Sequence, residues 1–138
     1  MYLDHVGLSV ADLDSQIAWY SAALGLNTVS PFEVAPLNLR GAFMTGPNDI
    51  AIELLERAGS QQGLQAESPG EALLTRGYGH ICLRVEDVDA LHSRLLAAGA
   101  NERMNPQPSP EVGVRMSFVA DPEGNLIELI DRKGPVGS

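Results

Sequence analysis

The sequence predicts an α+β fold made of two βαβββ modules, and three observations carry that expectation. The first is duplication. A shift of 75 positions lays the second half on the first without a gap at both ends, so that His5 falls on His80, Val10 on Val85, Asp12 on Asp87 and Asp14 on Asp89. Near the end of each half, "AFMTGPNDIAIELLER" falls on "SFVADPEGNLIELIDR", matching Phe43 with Phe118, Pro47 with Pro122, Glu53 with Glu128 and Arg57 with Arg132. The second observation is a change of hydrophobic period, from two to helical, early in each half. The third is turn chemistry, "TGPND" and "ADPEG", between the last two strand patterns of each half.

The elements follow in order. Residues 3–10 alternate, with Val6, Leu8 and Val10 on one face and His5, Gly7 and Ser9 on the other. Asp12 or Asp14 can cap a helix with an apolar stripe of Leu13, Ile17, Tyr20 and Leu24, and Gly25 suits the left-handed position past its end. Strands are expected at about 26–31, 38–45 and 49–56. In the second half, residues 79–85 oppose Ile81, Leu83 and Val85 to His80, Cys82 and Arg84. A helix starts near Asp87 or Asp89, carries Val88, Leu91 and Leu95, and stops at Gly99. Strands are expected at about 101–105, 113–120 and 125–131. The polar, Gly/Pro-bearing stretch at about 58–77 reads as a linker with one short helix at about 69–75, and residues 133–138 as a flexible tail.

Composition narrows the function classes. A hydrophobic share of 44% and a charged share of 20% belong to a globular domain with a real core. Nine Lys+Arg against 18 Asp+Glu give a net charge of −9, a field that repels phosphate backbones and argues against a nucleic-acid partner. No apolar run reaches the ~20 residues of a membrane span, and no leader pattern precedes the first strand. The single Cys82 has no internal disulfide partner, in keeping with a cytoplasmic location.

The chemistry sits in two histidines and two glutamates. A lone strand histidine more often packs or faces solvent than binds a ligand, and a strand glutamate has a solvated sheet face as its ordinary place. Here, however, each glutamate lies in an apolar run, "IAIELL" and "NLIELI", and follows its histidine by 48 residues in both halves. A carboxylate with apolar same-face neighbours is costly to bury without a cation or hydrogen bonds. His5, Glu53, His80 and Glu128 are therefore candidate ligands of one divalent metal ion, and nitrogen with hard oxygen donors suits Ni, Co, Zn, Mn or Fe.

Other residues are read conservatively. Trp19 and Tyr20 are expected in core or module packing, Tyr78 at a rim, and Phe43, Phe118, Met104 and Met116 in the core or an apolar pocket floor. Cys82 reads as a small buried filler on His80's face, and His92 as a residue of the helix surface. Arg40, Arg84 and Arg115 read first as solvated cations.

"HVGLSVADLDSQIAWYSAALGL", "GHICLRVEDVDALHSRLLAAGA" and "FVADPEGNLIELID" resemble the vicinal oxygen chelate superfamily over about residues 1–132. That group includes glyoxalase I, methylmalonyl-CoA epimerase, extradiol dioxygenases, and fosfomycin- and bleomycin-resistance proteins. The resemblance implies a single domain with module 1 at about 1–57 and module 2 at about 78–132, forming an eight-stranded, cup-like sheet around a metal. In the glyoxalase I and epimerase branches the ligands sit where His5, Glu53, His80 and Glu128 stand. Three-ligand branches leave the Glu53 position to a non-ligand, so a filled set favours the four-ligand branch. This implies a lyase or isomerase that moves a proton next to a carbonyl through a metal-stabilised enediolate, with Glu128 and Glu53 as candidate bases. A small-molecule substrate and a homodimer come with the same resemblance. A small-molecule binding or resistance protein is the alternative, followed by an extradiol-type dioxygenase. Ser9 and Arg57 stand where glyoxalase I enzymes carry an arginine and an asparagine that hold glutathione. Asn38 stands near the place of a further epimerase glutamate, with Glu33 some residues away.

Overall fold

The structure is a computed structural model that describes residues 1–138. It divides into two compact units, Met1–Gln62 and Gly63–Ser138, each with its own four-stranded mixed sheet. In the first unit, β1 (Val6–Val10), α1 (Leu13–Leu24), β2 (Thr28–Val34), β3 (Leu39–Thr45) and β4 (Ala51–Arg57) follow one another. The sheet order is β1-β4-β3-β2, with β1 and β4 parallel and the other pairs antiparallel. The second unit repeats this plan with β5 (His80–Arg84), α3 (Val88–Ala97), β6 (Asn101–Pro108), β7 (Arg115–Ala120) and β8 (Leu126–Ile130), in the order β5-β8-β7-β6. A single short turn of helix, α2 (Pro69–Ala72), precedes β5. The α+β class and both βαβββ modules are as the duplication predicts.

The acidic signature after each first strand has a structural reason. Asp12 and Asp87 are the N-caps of α1 and α3, and their carboxylates accept the Ser15 and Ala90 N–H groups at 3.0 and 2.9 Å. The second aspartate of each signature binds an arginine on the third strand of its module. Arg40 approaches Asp14 at 3.5 Å, and Arg115 donates to Asp89 through Nη2 at 2.9 Å. Arg40 and Arg115 are thus structural ties between helix and sheet rather than solvated cations.

In the first unit Glu56 Oε2 also accepts the Leu13 N–H at 2.7 Å, an otherwise orphaned donor at the helix start. Arg40 donates to the same carboxylate at 2.9 and 3.1 Å. The Leu13 amide, then the Arg40 guanidinium, hold the Glu56 pKa below its ordinary value. A lowered pKa makes the folded state gain stability above the ordinary 4.5 and lose it as pH falls through the folded-state value. Glu56→Gln is expected to destabilise the protein at neutral pH by an amount that shrinks below pH 4.5. Urea melts of both proteins across that range check it.

One face of each sheet is closed by its helix. Val10, Ala42, Met44, Ile52 and Leu54 are buried in the first unit with Leu13, Trp19, Tyr20 and Ala23 of α1. The helix sits rotated from the expected stripe: Gln16 is buried, while Ile17 and Leu24 are only partly covered. Ile127, Leu129, Val119 and Ser117 take the equivalent places in the second unit, beside Val88 and Leu95 of α3. Leu→Ala at position 54 or 129 is expected to cost about 2–5 kcal/mol, because each side chain is fully buried. Thermal or urea unfolding measures it.

Five expectations need correction. His92 does not lie on the helix surface. It is 3% exposed, with Nδ1 at 3.0 Å from Ser117 Oγ and Nε2 at 2.8 Å from Glu102 Oε2. His92 falls between Val88 and Leu95 on the buried stripe of α3, where a polar bridge to β6 and β7 satisfies its ring. The stretch read as a linker is not all linker. Ala66 and Ala72 are buried against Ala120 and Leu126, with Leu64 partly covered, so part of this segment roofs the second sheet. Cys82 is an exposed sheet residue rather than filler, and Tyr78 stands free of rim packing at 107% exposure. β1 starts at Val6, later than position 3, since its pairing with β4 begins there.

The D-P-x-G-N turn of the second module is held by Asp121, which is fully buried. Its carboxylate accepts the Glu123 and Asn125 N–H groups and the Asn125 side-chain amide. Gly124 is in the left-handed region with Gln65 lying where a Cβ would go, so glycine is required there.

Candidate metal centre

The face of each sheet opposite its helix carries the histidine and glutamate. Parallel pairing sets Gly7 opposite Glu53 and Cys82 opposite Glu128, and antiparallel pairing sets Phe43 opposite Glu53 and Phe118 opposite Glu128. Partners in register share a face, so each glutamate is flanked by its histidine strand on one side and a phenylalanine on the other.

The contacts within each unit are near copies. His5 Nε2 lies 3.2 Å from Glu53 Oε2, and His80 Nε2 lies 3.1 Å from Glu128 Oε2. Each imidazole meets its phenylalanine edge-on, His5 with Phe43 at 5.2 Å and His80 with Phe118 at 5.1 Å between ring centres. All four polar side chains are partly exposed, so ligand access is open, while the carboxylates are the more covered partners. Neither unit by itself gathers three metal-competent side chains. What each unit supplies is one imidazole nitrogen and one carboxylate oxygen, already turned toward each other. That donor chemistry fits a borderline divalent ion such as Zn²⁺, Ni²⁺ or Co²⁺.

The two halves differ around this shared core. His5 Nδ1 is 2.7 Å from Asp4 Oδ2, and that hydrogen bond, with Glu53 also contributing, raises the His5 pKa above its ordinary value. At His80 the corresponding neighbour is Gly79. Gly7 leaves room for Glu53, whose Oε2 would lie 3.4 Å from a Cβ there, whereas Cys82 occupies the matching place beside Glu128. Cys82 is exposed at the sheet surface, but neighbouring atoms strip part of the water from its thiol, and this desolvation, with the Glu128 charge second, pushes it up to about 12. Sequence reasoning placed Cys82 on this face but missed Asp4, whose position beside His5 was the available signal.

Beyond the pair, the first sheet's open face carries Phe32 packed over Gly41. The Phe32 and Phe43 rings lie 5.3 Å apart, and a Cβ on Gly41 would overlap the Phe32 ring. Gly41→Ala is expected to turn the Phe32 ring away and alter the Phe43 and His5 ring resonances in an NMR spectrum. Arg57 and Ser60, with Asn38 and Arg40, line a hollow of about 380 Å³ at the strand ends. Arg57 has no acidic partner, whereas its duplicate Arg132 binds Glu111 at 2.6 Å. Arg84 lies exposed on the second open face.

The same His–Glu contact recurs on both duplicated βαβββ units. The chain belongs to the Glyoxalase/Bleomycin resistance protein/Dioxygenase superfamily, whose model matches residues 2–129. A probable lactoylglutathione lyase of Vibrio cholerae is 30% identical over 129 residues, covering 94% of this chain and 89% of that protein. Glyoxalase I from Zea mays superposes with a TM-score of 0.74 at 25% identity, over 96% of this chain and 45% of the maize protein. The trypanothione-dependent glyoxalase I of Leishmania major gives 0.70 at 28% identity, over 96% and 88%. The chain thus spans nearly the whole of the bacterial relative and under half of the plant one.

Proposed function

We propose that the protein is a divalent-metal-dependent lyase or isomerase of glyoxalase type, moving a proton next to a carbonyl in a small oxygenated substrate. The duplicated His–Glu contact, 3.2 Å in one unit and 3.1 Å in the other, carries this reading. His5, Glu53, His80 and Glu128 would hold one ion among Ni, Co, Zn, Mn and Fe. When bound, such an ion polarises a substrate oxygen as a Lewis acid.

The chain's own residues do the rest. His5 and His80 supply nitrogen donors through Nε2, the ring atom that faces each glutamate. Glu53 or Glu128 takes the proton from the carbon beside the carbonyl and returns it to that carbon or its neighbour. Both carboxylates are partly covered and still open to a substrate. Phe43 and Phe118 hold the imidazoles edge-on and shield one side of each carboxylate from water.

The relatives named as lactoylglutathione lyases make thiol hemithioacetals of methylglyoxal the first substrates to try. Ser9 and Arg57 change the open face of the first sheet, so the thiol is proposed to be other than glutathione. Protein loaded with Ni²⁺, Co²⁺ or Zn²⁺, incubated with methylglyoxal and a series of thiols, is expected to form an α-hydroxy thioester seen by NMR. Absence of that product with every thiol and ion would sink the reading. We further propose a homodimer in the cytoplasm. Leu73, Leu74 and Tyr78 offer exposed apolar surface for a second copy, and light scattering reads the mass.

A further inference from the structure

The two His–Glu pairs are copies at three positions and differ at two others, one of them the Gly7 and Cys82 position. His, Glu and Phe repeat with the duplication, but the residue before the histidine is Asp4 in one half and Gly79 in the other. Asp4 Oδ2 lies 2.7 Å from His5 Nδ1 while His5 Nε2 faces Glu53. His80 shows the same contact through Nε2 to Glu128, but no side chain meets its Nδ1. An imidazole can bind a metal through either nitrogen, and the hydrogen bond made by the other nitrogen decides which one is offered. Carboxylates hydrogen-bonded to the outer nitrogen of a metal-binding histidine fix the ring and make it a better donor.

We propose that Asp4 is a positioning residue that holds the His5 Nδ1–H and so presents Nε2 to the metal, making the first half-site the preorganised one. This rests on the proposed metal-dependent function. Asp4 does not touch the ion or the substrate. Its side chain is 93% exposed and precedes β1, so it carries no core packing and can be replaced without loss of the fold. Gly79 provides the mirror experiment. Its φ lies outside the left-handed region and a Cβ there meets nothing within 4 Å, so an aspartate fits beside His80.

The test compares full-length wild type, D4G and G79D. Zn²⁺ affinity is measured by competition with a chromophoric chelator, and histidine ring protons by ¹⁵N NMR on the metal-free proteins. D4G is expected to bind Zn²⁺ about 10–100-fold more weakly and to lose a hydrogen-bonded His5 Nδ1–H signal. G79D is expected to tighten binding and to create such a signal at His80. Equal affinities across the three proteins, or a His5 Nδ1–H signal unchanged in D4G, overturn the proposal. Failure of the metal reading is distinct: wild type then binds no Zn²⁺, and the Asp4 contact is judged by the metal-free ring signals alone.

Discussion

Glu128→Gln in the metal-loaded protein is expected to lower kcat by about 10²–10⁴, the range for loss of a positioned acid–base group. Glutamine keeps the length and one oxygen acceptor of the side chain but has neither the negative charge nor the capacity to take a proton. It also weakens the second half-site, because His80 Nε2 faces Glu128 Oε2 at 3.1 Å and loses its charged neighbour. Glu53→Gln is expected to act with the same sign in the first half-site, where Glu53 faces His5. The comparison has diagnostic value. A four-ligand site loses much of its activity and metal affinity from either change. A three-ligand site built without Glu53 would tolerate Glu53→Gln almost unchanged. Steady-state kinetics with metal titrations on both variants separate these cases. Both glutamates are partly exposed on the open sheet faces, so the thermal transition should move little.

His92→Leu is expected to destabilise the protein by about 2–3 kcal/mol with little direct effect on the site. The imidazole joins α3 to β7 through Ser117 and to β6 through Glu102, and Ser117 is fully buried. Leucine removes both hydrogen bonds and leaves the Ser117 hydroxyl without a partner, a penalty larger than the bond itself was worth. Ser117→Ala added to His92→Leu should therefore cost less than the sum of the two single changes. Urea unfolding of the four proteins in this cycle gives the coupling. A strictly additive result would mean that the two side chains do not act together.

His92 also shows where sequence reading stopped. A histidine among polar letters on an amphipathic helix looks solvated, since the letters do not show that Ser117 and Glu102 on other elements will satisfy both ring nitrogens. The same limit hid Asp4, because an exposed aspartate next to a histidine carries no periodic signal. The roof over the second sheet was hidden for a related reason. Ala66 and Ala72 are small residues in a polar stretch, and only Ala120 and Leu126 on the sheet give them something to bury against.

The duplication, by contrast, made most of the fold legible. A repeated strand, cap and helix have to recur in space, and Asp12 with Asp87, Asp14 with Asp89, and Arg40 with Arg115 recur in contact as well as in sequence. The pairing of each histidine with its own glutamate was legible for the same reason. His80 opens β5 and His5 directly precedes β1, the strands that pair in parallel with β8 and β4, and a strand period of two fixes the face each side chain takes. Of what distinguishes the halves, Gly7 against Cys82 was legible from the strand period, whereas the contact of Asp4 with His5, absent at Gly79, was visible only in the structure.

The most direct test of the central claim is the turnover of metal-stripped protein as a divalent ion is titrated back. Protein dialysed against chelator is mixed with a methylglyoxal hemithioacetal, and thioester formation is followed as Ni²⁺, Co²⁺ or Zn²⁺ is added. The four-ligand account predicts no turnover without metal, then a rise that levels off at about one ion per chain. Turnover that survives complete removal of metal, or none with any ion in that series, would contradict it.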